Sequence, residues 1–312
     1  MAVVKVAMIG VGKIAVEQHL PVIAGDDGYE LAGVVSQRGI HVEGAPTFAT
    51  AAELYRAVAV DAVAICTPPH VRHAIAREAL AAGKHVMLEK PPVATLAEMH
   101  DLIVAAEAAG RVILATWHSR YNAAVDEAKA RLRGQRLKRL AIEWKEDVRR
   151  WHPGQDWIWE AGNFGVFDPG VNALSILTKI APAAMFVRAA RLFYPENRDT
   201  PVAAELAFSC AAAGSGATLA AEFDWRQQGE PSWNIDIEPE RGPPLRLTHG
   251  GSRLWVDGAP AVEAPLREYE GVYRHFAQML HRGVSDLDFS PFQLVGDAFL
   301  VGSRRTVAPF HW

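Results

Sequence analysis

Lys90 is the first residue whose type and setting point to chemistry. It stands in Glu89-Lys90-Pro91-Pro92, directly behind the apolar run His85-Val86-Met87-Leu88. That run reads as a strand, and the two prolines end it, because proline cannot donate to a ladder and fixes φ. A lysine at the carboxyl end of a strand, stiffened on its far side, lies where open α/β sheets bind their ligands. The plainer alternative is a solvated lysine in a surface turn. A second pair is Asp168 and Asn172, four apart and therefore on one helix face. An acid and an amide side by side can bind or orient vicinal hydroxyls. Asp168-Pro169 reads equally as an N-cap followed by proline at the first helical position.

The elements that must position Lys90 begin at the N-terminus. Val3 to Ile9 forms a strand broken only by Lys5, and it runs into Gly10-Val11-Gly12-Lys13-Ile14-Ala15. This is G-x-G-x-x-A between a strand and a helix, the fingerprint of a dinucleotide fold. Gly10 makes the tight turn, Gly12 lets backbone N–H groups approach a pyrophosphate, and Ala15 lets the helix pack closely. The helix N-terminus favours the anion. The next strand, Glu30 to Val35, ends in Ser36-Gln37-Arg38, where many NAD-binding domains carry an acid. A hydroxyl and a guanidinium favour a 2′-phosphate, hence NADP, with NAD also accepted. Arg38 pointing only to solvent is the alternative. Strand and helix patterns then alternate: Asp61 to Cys66, Val71 to Ala82, His85 to Leu88, Thr95 to Ala109 and Arg111 to Thr116. Alternation at this spacing predicts parallel βαβ units, a doubly wound α/β sheet. Thr67-Pro68-Pro69-His70 makes a rigid loop at the same crevice, near where a nicotinamide would lie.

The second half reads differently. Trp117-His118-Ser119-Arg120-Tyr121-Asn122 is a polar and aromatic crossover between domains, a common place for an active site. A helix over 121–133 and a strand over 137–145 follow. The stretch 147–159 carries Trp151, Trp157, Trp159 and His152, and tryptophans there can stack on sugar faces or cap a core. From Ala183 to Glu263 the pattern predicts strands joined by Gly-, Pro- and Asn-rich turns, a large open antiparallel sheet. Trp225 ends one strand and could close over a sugar. Helices are expected over 269–282 and 291–307, the latter packing back on the first domain.

Composition narrows the classes. The 312 residues carry a net charge of -4, half of them are apolar, and no basic block suggests nucleic acid. No apolar run is long enough for a membrane span, and no leader precedes the first strand. Two distant cysteines, Cys66 and Cys210, make no disulfide framework. A reduced, cytoplasmic protein is expected. His70 and His73 sit three apart on a helix, but no acid or thiol follows at metal-ligand spacing, so no metal is expected.

Gly10 to Ala15, Thr67-Pro68-Pro69-His70 and Glu89-Lys90-Pro91 together resemble the Gfo/Idh/MocA family of sugar oxidoreductases, over essentially the whole chain. The resemblance implies a Rossmann domain over 1–118, with the helix 290–308 packing back on it, and a substrate and dimerisation domain over 119–289. It implies Lys90 beside the nicotinamide, with Asp168 and Asn172 on a glycine-led substrate helix, as the catalytic set. Cofactor contacts would come from Gly10, Gly12, Lys13, Ile14, Ser36, Gln37, Arg38, Thr67, Pro68, Pro69, His70, Glu89 and Lys90. Substrate contacts would come from His118, Trp151, His152, Asp168, Asn172 and Trp225. Many members carry histidine where Asn172 stands, so an imidazole relay from that position is not available. This departure, with Trp157 to Gly162, resembles a branch that oxidises aldoses of galacto arrangement at C1: L-arabinose, D-galactose and D-fucose. Whether Lys90 or Asp168 accepts the proton stays open. A homodimer through the open sheet is implied. Another sugar or cyclitol dehydrogenase, or a non-catalytic NADP-binding sensor, are the alternatives.

Overall fold

The computed structural model describes residues 3–312. They divide into two compact units: the residues up to Trp117 with Tyr269–Phe289, and His118–Glu268 with Ser290–Trp312. Among the described residues, the first unit holds a parallel six-stranded sheet. Its strands are β1 (Val4–Ile9), β2 (Tyr29–Val35), β3 (Thr47–Phe48), β4 (Ala62–Ile65), β5 (His85–Glu89) and β6 (Ile113–Thr116), in the order β3-β2-β1-β4-β5-β6. That order is the doubly wound arrangement whose crevice lies at the strands' carboxyl ends. β4 and β6 are buried at every position, as a sheet covered on both faces requires. A π-turn, Ala15–His19, leads into α1 (Leu20–Gly25). Then come α2 (Ala51–Ala57), α3 (Pro69–Ala81) and α4 (Leu96–Ala109). Thr50 with Glu53, and Thr95 with Glu98, form capping boxes at α2 and α4.

The second unit is built on a mixed, mainly antiparallel sheet. Its first elements are α5 (Ala123–Leu132), β7 (Leu137–Lys145), α6 (Val148–Trp151) and α7 (Phe167–Ile180). Strands β8 (Met185–Pro195), β9 (Ala203–Cys210), β10 (Ala213–Asp224), β11 (Ser232–Pro239), β12 (Leu245–Thr248), β13 (Arg253–Val256) and β14 (Ala259–Glu263) follow. After α8 (Glu268–Arg282) and α9 (Ser290–Val301), β15 (Gly302–Val307) closes the sheet. Among the described residues the order is β14-β13-β12-β11-β7-β10-β9-β8-β15, with β7–β10 and β8–β15 parallel. Alternation sets the faces: Leu219, Ala221 and Phe223 of β10 are buried while Thr218 and Glu222 are exposed. Helices α5, α7 and α9 cover the buried face. No helix among the described residues is long and apolar enough to cross a membrane.

The expected helix over 291–307 is corrected in two ways. It ends at Val301, and 302–307 is a strand paired in parallel with β8. A Cβ at Gly302 would lie 2.4 Å from the Ala298 carbonyl oxygen, so only glycine fits the bend that lets the chain leave the helix for the β8 edge. The pairing then satisfies the β8 edge. Nor does this segment return to the first unit, since α9 packs on α7 and β8. The returning helix is α8, assigned to the second domain by sequence. Its buried stripe of Tyr269, Val272, Tyr273, Phe276 and Met279 belongs to the first unit's core.

α7 carries Asp168 and Asn172, and its fit against β10 depends on Gly170. A Cβ at Gly170 would lie 2.9 Å from the Phe223 ring, which is itself buried against Phe167. Alanine would gain about 1 kcal/mol of helix propensity. Overpacking a ring that cannot move aside costs about 1–3 kcal/mol and outweighs it. Gly170→Ala is therefore expected to lower the melting temperature by about 2–6 °C in a thermal scan.

Candidate functional site

The first unit's crevice is shaped by what cannot be replaced. Gly10 has φ 91°, and a Cβ there would lie 2.9 Å from the backbone nitrogen of Thr67. Its N–H donates to the Val35 carbonyl at 3.0 Å, so the glycine turn is pinned between β2 and β4. Around Gly12 a Cβ would meet nothing within 4 Å, leaving its backbone open to a ligand. Lys13 is exposed, Ile14 half-buried and Ala15 fully buried. The Thr67 hydroxyl is buried with no hydrogen-bond partner among the described residues, as is that of Thr116 at the end of β6. The buried orphan hydroxyl of Thr67 beside an open glycine turn fits a dinucleotide with hydroxyl and phosphate groups to offer. At the end of β2, the Ser36 hydroxyl accepts from the Ile40 N–H at 3.0 Å and shapes the turn, while Gln37 and Arg38 are exposed. Pro68 and His70 are exposed and Pro69 opens α3. His73 is bonded to Asp101 at 2.6 Å.

Lys90 is half-buried, and its backbone is held from both sides. Its N–H donates to Glu89 Oε2 at 3.0 Å. Arg72, buried on α3, donates to the carbonyls of Glu89 and Pro91, and its Nε donates to the Thr67 carbonyl at 2.7 Å. One guanidinium thus ties the Thr67-Pro68-Pro69 loop to the lysine turn, whose Lys90–Pro91 peptide is cis. Sequence reading missed Arg72, because its partners are carbonyls that leave no signal in side-chain spacing. It missed His19 too, whose ring bonds Tyr273 and Glu89.

In the second unit, α7 begins at Phe167, so Asp168 lies in its first turn and is not the N-cap. Asp168 Oδ2 sits 3.4 Å from His152 Nε2, which brings an imidazole to the acid from outside its helix. Asn172 follows one turn later, half-buried. His152 packs on Trp225 with ring centroids 5.6 Å apart, and Trp225 is fully buried, meeting Trp159 edge-on at 5.3 Å. Trp225 thus supports His152 and presents no open face. Trp151, half-buried, leans on Trp233 at 5.5 Å, and Trp157 is exposed. His118 Nδ1 bonds Glu268 Oε2 at 2.7 Å, and Asn122 donates to Glu268 Oε1 at 2.6 Å. Burial alone would raise the Glu268 titration, but the charge of His118 and hydrogen bonds from His118, Ser119 and Asn122 hold it below the ordinary 4.5. Glu268 was invisible in sequence, since both partners lie far upstream.

Comparison with known proteins agrees with this architecture. The family model described as an oxidoreductase family with an NAD-binding Rossmann fold matches residues 4–116. The chain is 41% identical to galactose 1-dehydrogenase of Pseudomonas fluorescens over 312 residues, all of both chains. It superposes on the crystal structure of a D-galactose-1-dehydrogenase from Rhizobium etli with a TM-score of 0.94 and 46% identity, covering 100% of this chain and 99% of that one. A 3-ketoreductase from Actinomadura kijaniata, solved with NADP, matches at a TM-score of 0.83 over 98% of this chain and 99% of that one. At 17% identity that likeness speaks for the fold alone.

The Glu268 cluster makes a signed prediction. Its folded titration is depressed, so its contribution to stability is present above 4.5 and lost as pH falls through the folded value. Between about pH 6 and about pH 3, the melting temperature of the wild type should fall more steeply than that of Glu268→Gln.

Proposed function

The chain belongs to the Gfo/Idh/MocA oxidoreductase family with an NAD-binding Rossmann fold, and on that premise we propose that it oxidises an aldose at C1 to the lactone. The substrates proposed are D-galactose, L-arabinose and D-fucose, which share one ring arrangement and differ at C5. The observation that supports this most strongly is full-length identity of 41% with a galactose 1-dehydrogenase. The fused pair of units and the glycine fingerprint agree with it.

When bound, the nicotinamide cofactor supplies the hydride acceptor. Gly10, Gly12, Lys13 and Ile14 are proposed to hold its pyrophosphate on the helix N-terminus. Thr67, Pro68, Pro69 and His70 would line the same crevice, with Glu89 backing Lys90. Ser36, Gln37 and Arg38 are proposed to receive a 2′-phosphate, so NADP is preferred over NAD. The absence of an acid at the end of β2 and the exposure of Arg38 support that preference. The anomeric hydroxyl must lose a proton, and Lys90 and Asp168 are the two candidates to take it. His152, whose Nε2 lies 3.4 Å from Asp168 Oδ2, can pass the proton on. Asn172 and His118 are proposed to bind further hydroxyls, with Trp151 and His152 walling the sugar. Trp225 acts by supporting His152.

Self-association through the bare face of the second sheet is part of the proposal. On that face Ala141, Ala220 and Ala207 stand side by side in register, small enough for a second sheet to approach.

The test is reduced-nicotinamide absorbance with NADP and NAD against L-arabinose, D-galactose, D-fucose, D-xylose, D-glucose and myo-inositol. Activity confined to the first three is expected. Activity only on the others would discard the substrate, and tight NADP binding without turnover would favour a sensor. Lys90→Ala and Asp168→Ala should each lower kcat by about two orders of magnitude or more with the fold intact. Arg38→Ala should raise the KM for NADP about tenfold, through loss of a charge-assisted bond, and leave NAD kinetics within about twofold.

A further inference from the structure

His19 is buried to 0% exposure in the first unit, in the π-turn that follows the glycine fingerprint. A π-turn widens the helix by one residue and shifts the phase of its side chains. Here the shifted residue points inward. His19 Nε2 lies 3.0 Å from Glu89 Oε1, and Nδ1 lies 2.8 Å from the Tyr273 hydroxyl. Tyr269 donates to the same Glu89 oxygen at 2.7 Å. The other Glu89 oxygen accepts the Lys90 N–H at 3.0 Å.

Core packing does not ask for this arrangement. A buried carboxylate costs several kcal/mol to desolvate, and an apolar side chain of similar volume would fill the space at lower cost. What the carboxylate accomplishes is local. Pro91 and Pro92 have no N–H, so the Lys90 amide is the last donor of the strand, and Glu89 sets its direction. Glu89 is in turn aimed by His19 and Tyr269.

We propose that His19 is a positioning residue for Lys90, acting through Glu89 to fix the angle at which the lysine side chain leaves β5. The inference rests on the reading of Lys90 as a residue that handles the substrate proton. His19 also links the cofactor turn to the lysine, because it ends the segment that begins at Gly10. The groups facing it are Glu89 from β5, Tyr269 and Tyr273 from α8, and Cys66 beyond β4. Burial opposes its charged form, yet Cys66, Tyr273 and Glu89 outweigh burial and hold its titration well above 6.5. The charged ring is the form that donates from both nitrogens.

The experiment uses the full chain and three variants. His19→Ala removes both contacts, His19→Gln keeps a donor toward Glu89, and Tyr269→Phe removes the neighbouring donor and serves if the alanine variant does not fold. NADP affinity, kcat, aldose KM and hydrogen exchange at the Lys90 amide are read in each. For His19→Ala we expect kcat lower by about 10–100-fold, with NADP affinity and aldose KM within about threefold. Lys90 amide exchange should be faster by about tenfold or more. His19→Gln should restore both readouts to within about threefold of wild type, and Tyr269→Phe should fall between. Wild-type kcat and Lys90 exchange in His19→Ala would overturn the proposal. So would loss of NADP affinity in parallel with kcat in all three, which is what a merely structural role gives. Should the wild type oxidise no aldose, the functional reading fails by itself, and the Lys90 exchange rates still decide whether His19 positions that residue.

Discussion

The Glu89 carboxylate, 3% exposed, is the interaction on which the first unit's chemistry depends. It joins three parts of the chain that sequence keeps far apart: the turn after the glycine fingerprint, the end of β5, and α8. A buried acid is tolerated only where its oxygens are filled, and here Lys90, His19 and Tyr269 fill them. Arg72 does for the neighbouring carbonyls what Glu89 does for the N–H. The lysine therefore stands on backbone that is tied to neighbouring elements on both sides.

The second unit solves a related problem with less charge. Asp168 sits in the first turn of α7, where the helix dipole favours an acid. His152 reaches it from the α6 end, and Trp225 and Trp159 back His152 from the core. Gly170 lets the helix lie close on Phe223, so the position of Asp168 is set by packing two residues away. Nearby, Glu268 gathers His118 and Asn122 into a second polar knot. Aromatic packing holds the first knot and a shared carboxylate the second, so both present polar groups at fixed places.

Much of this could be read in the chain because it is local. The glycine turn, the capping boxes, the βαβ alternation and the strand-ending prolines are all written in neighbours a few residues apart. The broad second sheet was equally legible from its short alternating runs. What could not be read are pairings at long range: His19 with Tyr273 lies 254 residues apart, Glu89 with Tyr269 180, and Asn122 with Glu268 146. No period or motif encodes such distances. The same limit explains the exchange of roles between α8 and α9. Both are amphipathic, and sequence shows that each has a face to bury without showing in which core. The tail 302–307 reads as helix only until the edge of β8 offers it a partner.

The first unit is also discontinuous along the chain, closing with Tyr269–Phe289 after all but the last strand of the second sheet has been made. A ribosome releases residues in order, at about 5–20 per second, and domains ordinarily fold as they emerge. This one cannot finish in that way. Until α8 appears, His19 and Glu89 face one another without their tyrosines, and the apolar stripe that α8 covers stays open. The nucleotide fold at the front of the polypeptide therefore waits on its last fifth, and its completion is tied to the completion of everything between. A nascent chain arrested before that point holds the glycine turn and the lysine but not the scaffold that gives them direction.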